Sequence, residues 1–266
     1  MAHAESALVM NFLVLILFVQ VLLESLPVSS SGHLVLLSKL LFFLNGSEVF
    51  NFECITSFYY FLHGATVFVV LVFFYHYWKA LLYKMWRRKK LFTREVMFFS
   101  IIEIVTFFGY LLVQPILKKI PLSLGFLITT VILFSLKFLR SAKICEWQFL
   151  DAVFIGLAQT LAFIPGVSRL GLTYFSARAR SIRPHDAFAI SFIASLPLGM
   201  AGFVIGLYRL WSSSLYCFDF SYFVYIVIAS LGAYFLLVLL YFLIKRGRLW
   251  WLGWYMLLPM VVSFFL

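Results

Sequence analysis

The 266-residue sequence predicts an all-α, polytopic membrane protein: six full transmembrane helices plus two re-entrant helix-turn-helix hairpins, arranged as an inverted repeat within one membrane domain. Three observations lead there. The chain is 64% hydrophobic, 20% aromatic and only 12% charged, far outside the range of soluble domains. Its Lys and Arg residues gather in short segments between apolar runs, which is the positive-inside pattern. Two of the apolar runs are broken by Pro and Gly beside clusters of polar side chains. The net charge of +11 therefore reads as membrane topology; no basic helix face or nucleic-acid motif accompanies it.

In chain order, Ala7 to Glu24 is apolar and helical in character, roughly 27 Å long at 1.5 Å per residue and just able to span. Pro27 disfavours helix at the residue before it, and Ser29-Ser30-Ser31-Gly32 reads as a turn. The next run, Leu34 to Leu44, is too short to cross, so the pair reads as a hairpin that enters and leaves on one face. A loop at 45–54 carries Glu48 and Glu53 without Lys or Arg. Thr56–Tyr75, Val96–Leu117 and Leu122–Leu136 are spans, separated by a basic segment from Lys79 to Arg94 and a tight Lys118–Pro121 turn. A second basic segment holds Lys137, Arg140 and Lys143. Phe149 to Ile164 is stopped by Pro165-Gly166, and a short helical piece runs on to a third basic segment at Arg178, Arg180 and Arg183: a second hairpin. Ala187–Tyr208, Phe220–Ile244 and Leu249–Leu266 complete the spans, with Lys245, Arg246 and Arg248 between the last two.

Placing all four basic segments in the cytoplasm is consistent only if both broken stretches are hairpins rather than crossings. Both termini and the acidic loop then lie outside. Residues of about 7–138 and about 149–266 each give a hairpin and three spans in opposite orientation, so the polar hairpin tips should meet in the interior. The first apolar run lacks a basic flank and a small-residue cleavage site and is expected to stay in place as an element. Cys54, Cys145 and Cys217 show no metal spacing and read as apolar fillers, with a Cys54–Cys217 bridge as a weaker alternative.

The chemistry sits on those tips. The first carries Gln20, Glu24, Ser29, Ser30, Ser31 and His33; the second carries Gln159, Ser168, Arg169 and Thr173. Polar groups in an apolar chain are costly unless paired or wet, so such density marks a site. Gln20 and Glu24 are four residues apart and share a helix face. A guanidinium in apolar sequence calls for a carboxylate or a phosphate, and its fork suits phosphate. Arg169 could equally lock the hairpins by pairing with Glu24. The Gly171 side of the turn, entering a helix near Thr173, adds N–H groups and positive potential. Glu24, His33 and Ser30 offer base, acid and nucleophile. Phosphoryl transfer or hydrolysis on a lipid phosphate follows. Glu103 and His63 lie inside spans and read as hydrogen bonding and packing, and Asp151 and Asp186 as helix caps.

Leu26–Leu34 (LPVSSSGHL), with Ile164–Arg169 (IPGVSR), Thr173 and the LHGATVFVVLVFF segment, resembles the undecaprenyl-diphosphatase family, the bacitracin-resistance proteins of bacterial membranes. The resemblance covers nearly the whole chain. It implies hydrolysis of undecaprenyl diphosphate to the monophosphate, recycling the lipid carrier for peptidoglycan synthesis, at an outward-facing site in the bacterial inner membrane with a divalent metal, Mg²⁺ or Ca²⁺. By the same resemblance Glu24 is the essential acid and metal ligand, Ser30 the nucleophile, and His33 the acid/base or alternative nucleophile. Arg169 is the diphosphate-binding arginine, with Ser168 and Thr173 as hydroxyl partners; Ser29 and Ser31 are substrate-binding candidates from their place on the first tip. The family often has Glu where this chain has Gln20, which leaves an amide carbonyl as the second metal ligand, and usually Ser where it has Leu170. A lipid-phosphate transporter or flippase built on the same inverted repeat is the competing reading. The partners expected are the polyprenyl diphosphate and membrane lipids, no nucleic acid, and an oligomeric state for which a homodimer is one option.

Overall fold

The computed structural model describes residues 2–45, 52–88, 93–117, 119–139, 147–212 and 221–266. All regular structure among them is helical. In order these are α1 (Ala2–Glu24), α2 (Ser30–Asn45), α3 (Phe52–Phe73), α4 (Tyr75–Arg88), α5 (Arg94–Leu117), α6 (Leu122–Ser135), α7 (Phe149–Leu161), α8 (Arg169–Ala179), α9 (Pro184–Ser212), α10 (Ser221–Lys245) and α11 (Leu252–Phe265), with 3₁₀ turns extending α6 and leading into α11. Cys145 and Cys217 and the side chain of Cys54 fall outside the described residues, as do Arg140, Lys143 and the acidic loop after Asn45.

Among the described residues, four helices have the length and composition to cross a bilayer: Ile55–Phe73, Arg94–Leu117, Pro184–Ser212 and Tyr222–Lys245. The apolar stretches Leu122–Phe138 and Leu249–Phe265 are at the short end of the spanning range. The protein is a multi-pass membrane protein. Its core follows from which faces meet. Leu17 and Val21 of α1, Phe58 and Leu62 of α3, Phe188 and Phe192 of α9, and Ala229, Ala233 and Leu237 of α10 form the main cluster. Val28, Leu36, Phe126, Leu133 and Met256 form a second where α2, α6 and α11 converge. Large apolar side chains such as Leu112, Phe235 and Phe264 remain on the outside, as lipid contact requires.

The packing partners correspond between the halves. α3 packs on α9 and α6 on α11; α1 lies on α10 as α7 lies on α5; α2 reaches α11 as α8 reaches α6. Exchanging α1, α2, α3, α5 and α6 for α7, α8, α9, α10 and α11 leaves this set of pairings unchanged.

The basic segments gather at one end of the bundle. Arg94 donates to the Trp147 carbonyl at 2.7 Å, Arg180 pairs with Asp151 at 2.7 Å, the His185 and Tyr241 rings touch, and Lys137 sits over Trp250. The beginning of α7 and the end of α8 therefore share an end, so the second hairpin enters and leaves on the same side. Asp151 does cap α7 through the Gln148 N–H, and also holds Arg180.

Three boundaries differ from those expected. The basic stretch after Tyr75 is a helix: α4 carries Lys79, Lys84, Arg87 and Arg88 together with exposed Leu82, Tyr83 and Trp86. The second helix starts at Ser30 rather than Leu34, because Ser29 takes a left-handed φ of 63° and its hydroxyl caps the Gly32 N–H. α8 starts at Arg169 rather than near Thr173, because Ser168 caps the Gly171 N–H at 3.1 Å. The motif residues are therefore first turns of helices instead of loops.

Candidate active site

The two hairpin turns touch. A Cβ on Gly32 would stand 2.8 Å from the Gly166 Cα, and the Pro27 carbonyl lies against Gly171. α6 braces the second turn: Thr129 Oγ1 lies 2.9 Å from the Gly166 carbonyl and accepts from the Ser168 N–H at 2.9 Å. Gly125 of α6 leaves the room, since a Cβ there would come within 1.8 Å of the Pro165 carbonyl.

Between the turns, α3 and α9 lies a cavity of about 70 Å³, lined by Glu24, Ser29, Ser30, Ser31, Tyr59, His63, Thr66, Ser168, Arg169 and Ser195 among apolar neighbours. α2 and α8 both begin on its wall. The first N–H groups of a helix have no carbonyl within the helix to bond, and the N-terminal end carries positive potential. Two such ends facing one cavity make an anion site.

Arg169 adds the full charge. Its guanidinium lies 5.9 Å from the Phe163 ring centre and has no carboxylate or hydrogen-bond partner among the described residues. A lock between Arg169 and Glu24 is not what holds the hairpins together. Glu24 has other partners: Gln20 Nε2 and Thr66 Oγ1 each donate to Oε2 at 2.8 Å, and His63 Nε2 stands 3.6 Å from Oε1. His63 Nδ1 faces the Tyr59 carbonyl at 3.1 Å and must donate to it, so Nε2 is the nitrogen that faces the carboxylate.

The expected site residues divide. Glu24, Ser29, Ser30, Ser31, Ser168 and Arg169 share the cavity. Ser30 has no protein hydrogen-bond partner there and is free to address a ligand. Ser29 and Ser168 spend their hydroxyls partly as caps. Thr173 is fully buried, its hydroxyl turned onto the Arg169 carbonyl at 2.7 Å, and it does not reach the cavity wall. His33 is not on that wall either. Its Nδ1 donates to the Ser29 carbonyl at 2.8 Å, its Nε2 meets the Tyr255 hydroxyl at 3.1 Å, and its ring stacks on Tyr255. Gln20 is fully buried behind Glu24, its amide oxygen without a partner. His63 and Thr66 lie in a span expected to pass near the site, although His63 itself reads as packing in the sequence, and Tyr59 is not singled out there; the i, i+3 spacing of His63 and Thr66, which puts both on one face of α3, is the available signal. Glu103 accepts from Gln159 at 3.4 Å, the hydrogen-bonding role expected for it.

The family model described as Bacitracin resistance protein BacA matches residues 13–262. The chain belongs to the BacA family. Among its relatives, the undecaprenyl-diphosphatase of Thermosipho africanus is 34% identical over 201 residues, 71% of this chain and 75% of the relative. Those of Carboxydothermus hydrogenoformans and Thermotoga petrophila are 30% and 29% identical, covering 92% of this chain and 93% and 96% of theirs. The BacA match includes both hairpin turns and every residue of the cavity wall.

Proposed function

We propose that this protein is an integral membrane phosphatase that hydrolyses undecaprenyl diphosphate to undecaprenyl phosphate and inorganic phosphate, recycling a lipid carrier for peptidoglycan synthesis and thereby opposing bacitracin. The observation that carries the reading is the unpaired Arg169 guanidinium on a cavity where two helix N-termini and the Glu24–Ser30 pair converge. Membership of the BacA family and the name its relatives carry agree with it.

In the mechanism, Arg169 and the free N–H groups of α2 and α8 hold the diphosphate and stabilise the charge that develops on it. Ser30 Oγ attacks the terminal phosphorus while its proton passes to the Glu24–His63 pair. The bond from that phosphorus to the bridging oxygen breaks, and the lipid monophosphate leaves. The pair passes that proton to the departing lipid phosphate; it then deprotonates a water, which attacks the phosphoserine, and returns the water's proton to Ser30 Oγ as phosphate is released. His33 acts on this scheme through the turn: its bond to the Ser29 carbonyl fixes the strained residue that presents Ser30.

A divalent cation, Mg²⁺ or Ca²⁺, fits the donors present, though no three His, Cys, Asp or Glu side chains cluster for one among the described residues. Glu24 and the orphaned Gln20 amide oxygen would hold it. When bound, it would supply charge neutralisation on the phosphates. The positive-inside pattern supports a cytoplasmic basic end, outward termini and an outward-facing site in the bacterial inner membrane.

The test is phosphate release from undecaprenyl or farnesyl diphosphate by detergent-purified protein, beside Glu24→Ala and Arg169→Ala. Release by the wild type that both variants lose is expected. A folded wild type that binds the lipid and releases nothing would replace the phosphatase with a carrier.

A further inference from the structure

The cavity of about 70 Å³ has room for a phosphate group and none for a polyprenyl chain. The chain is bonded directly to the diphosphate, so it must leave by an apolar surface that begins at the cavity wall. A second concavity, of about 460 Å³, meets that requirement. It lies between α1, α2 and α11, within the size range of small-molecule sites. Leu23 lines both spaces, and the next residue, Glu24, faces the phosphate side. Its walls are otherwise Phe18, Leu22, Leu37, Tyr255, Leu258 and aliphatic neighbours.

We infer that this groove holds the first isoprene units of the lipid substrate, and so selects long-chain isoprenoid diphosphates over short ones; the inference rests on the phosphatase reading. Two features favour an isoprenoid over bulk lipid. The polar atoms in the wall are already satisfied: His33 bonds the Ser29 carbonyl and Tyr255, so the pair offers its ring surfaces and leaves no bare donor facing hydrocarbon. The same pair continues into the Ser29–Ser30 turn. A chain lying in the groove therefore rests on the residues that hold the nucleophile, with its head group beside Ser30.

The test fills the groove. Leu37→Trp and Leu258→Trp place a large ring in it, on residues outside the phosphate cavity. Exposed Leu112→Trp on α5 is the control. Phosphate release is compared on farnesyl diphosphate, which reaches the groove, and isopentenyl diphosphate, whose single five-carbon unit barely does. The expected result is a KM for farnesyl diphosphate raised roughly tenfold or more in both groove variants. Turnover of isopentenyl diphosphate and the behaviour of the control should be unchanged. An unchanged farnesyl KM, or an equal loss on both substrates, overturns the inference. A photoreactive farnesyl diphosphate on the wild type gives a reading independent of turnover: label on residues 18–40 and 255–262 supports the groove, and label confined to other helices sinks it. A wild type that releases phosphate from neither substrate refutes the phosphatase reading, while the label still decides where the chain lies.

Discussion

His63 Nε2 stands 3.6 Å from Glu24 Oε1, although the two residues lie on different helices. The contact makes a testable pair. His63→Ala should lower kcat roughly a hundredfold with little change in KM, since it removes proton handling rather than binding. Thr66→Val, which deletes one hydrogen bond to the carboxylate, should cost roughly tenfold. Steady-state phosphate release measures both, and a His63→Ala enzyme with wild-type kcat would remove His63 from the mechanism.

Arg169→Lys keeps the charge and loses the fork. Because the guanidinium forms no ion pair among the described residues, the effect should fall on substrate: KM raised roughly tenfold, and more for Arg169→Ala. Thermal midpoints should barely move in either variant. A large drop in stability instead would show that Arg169 is a structural cation.

Ser30→Ala should abolish turnover, whereas Tyr255→Phe, which frees His33 Nε2, should lower it roughly fivefold by loosening the turn. Near-normal turnover by Ser30→Ala, with none by His33→Ala, would move the nucleophile to His33.

Gly125→Ala should destabilise the protein by about 1–3 kcal/mol, because its Cβ would collide with the Pro165 carbonyl and push α6 off the second turn. Thermal unfolding in detergent measures it. Activity lost without loss of stability would mean that the turn moves while the fold does not.

Chelation with EDTA should stop phosphate release, and Mg²⁺ or Ca²⁺ should restore it. The same ions should raise the thermal midpoint of the wild type and not of Glu24→Gln. Full activity in EDTA would remove the metal from the scheme.

The helices, the two breaks and the identity of Glu24, Ser30 and Arg169 were legible in the sequence because each is a local signal: an apolar run, a Pro-Gly interruption, a charge where hydrocarbon forbids one. Helix starts were less so. Ser30 and Arg169 read as turn residues because their serine caps work through backbone geometry, notably the positive φ of Ser29, that composition does not encode. His63 and Thr66 looked like packing for a different reason: their partner, Glu24, comes from a distant part of the chain. His33 sits in the right motif, but its ring bonds the Ser29 carbonyl and Tyr255 on the far side of the turn, a contact with a distant part of the chain. The helix after Tyr75 was masked by its charge, which topology alone already explained.

The backbone contact between Gly32 and Gly166 sets an order of events during synthesis. The first hairpin leaves the ribosome with Glu24 and Ser30 in place long before Arg169 is translated. Neither turn alone encloses the anion site, so a partly inserted chain holds Glu24 and Ser30 without the arginine that faces them across the cavity. The cavity is therefore complete only once the second hairpin has met the first, late in synthesis, because its wall draws on both turns.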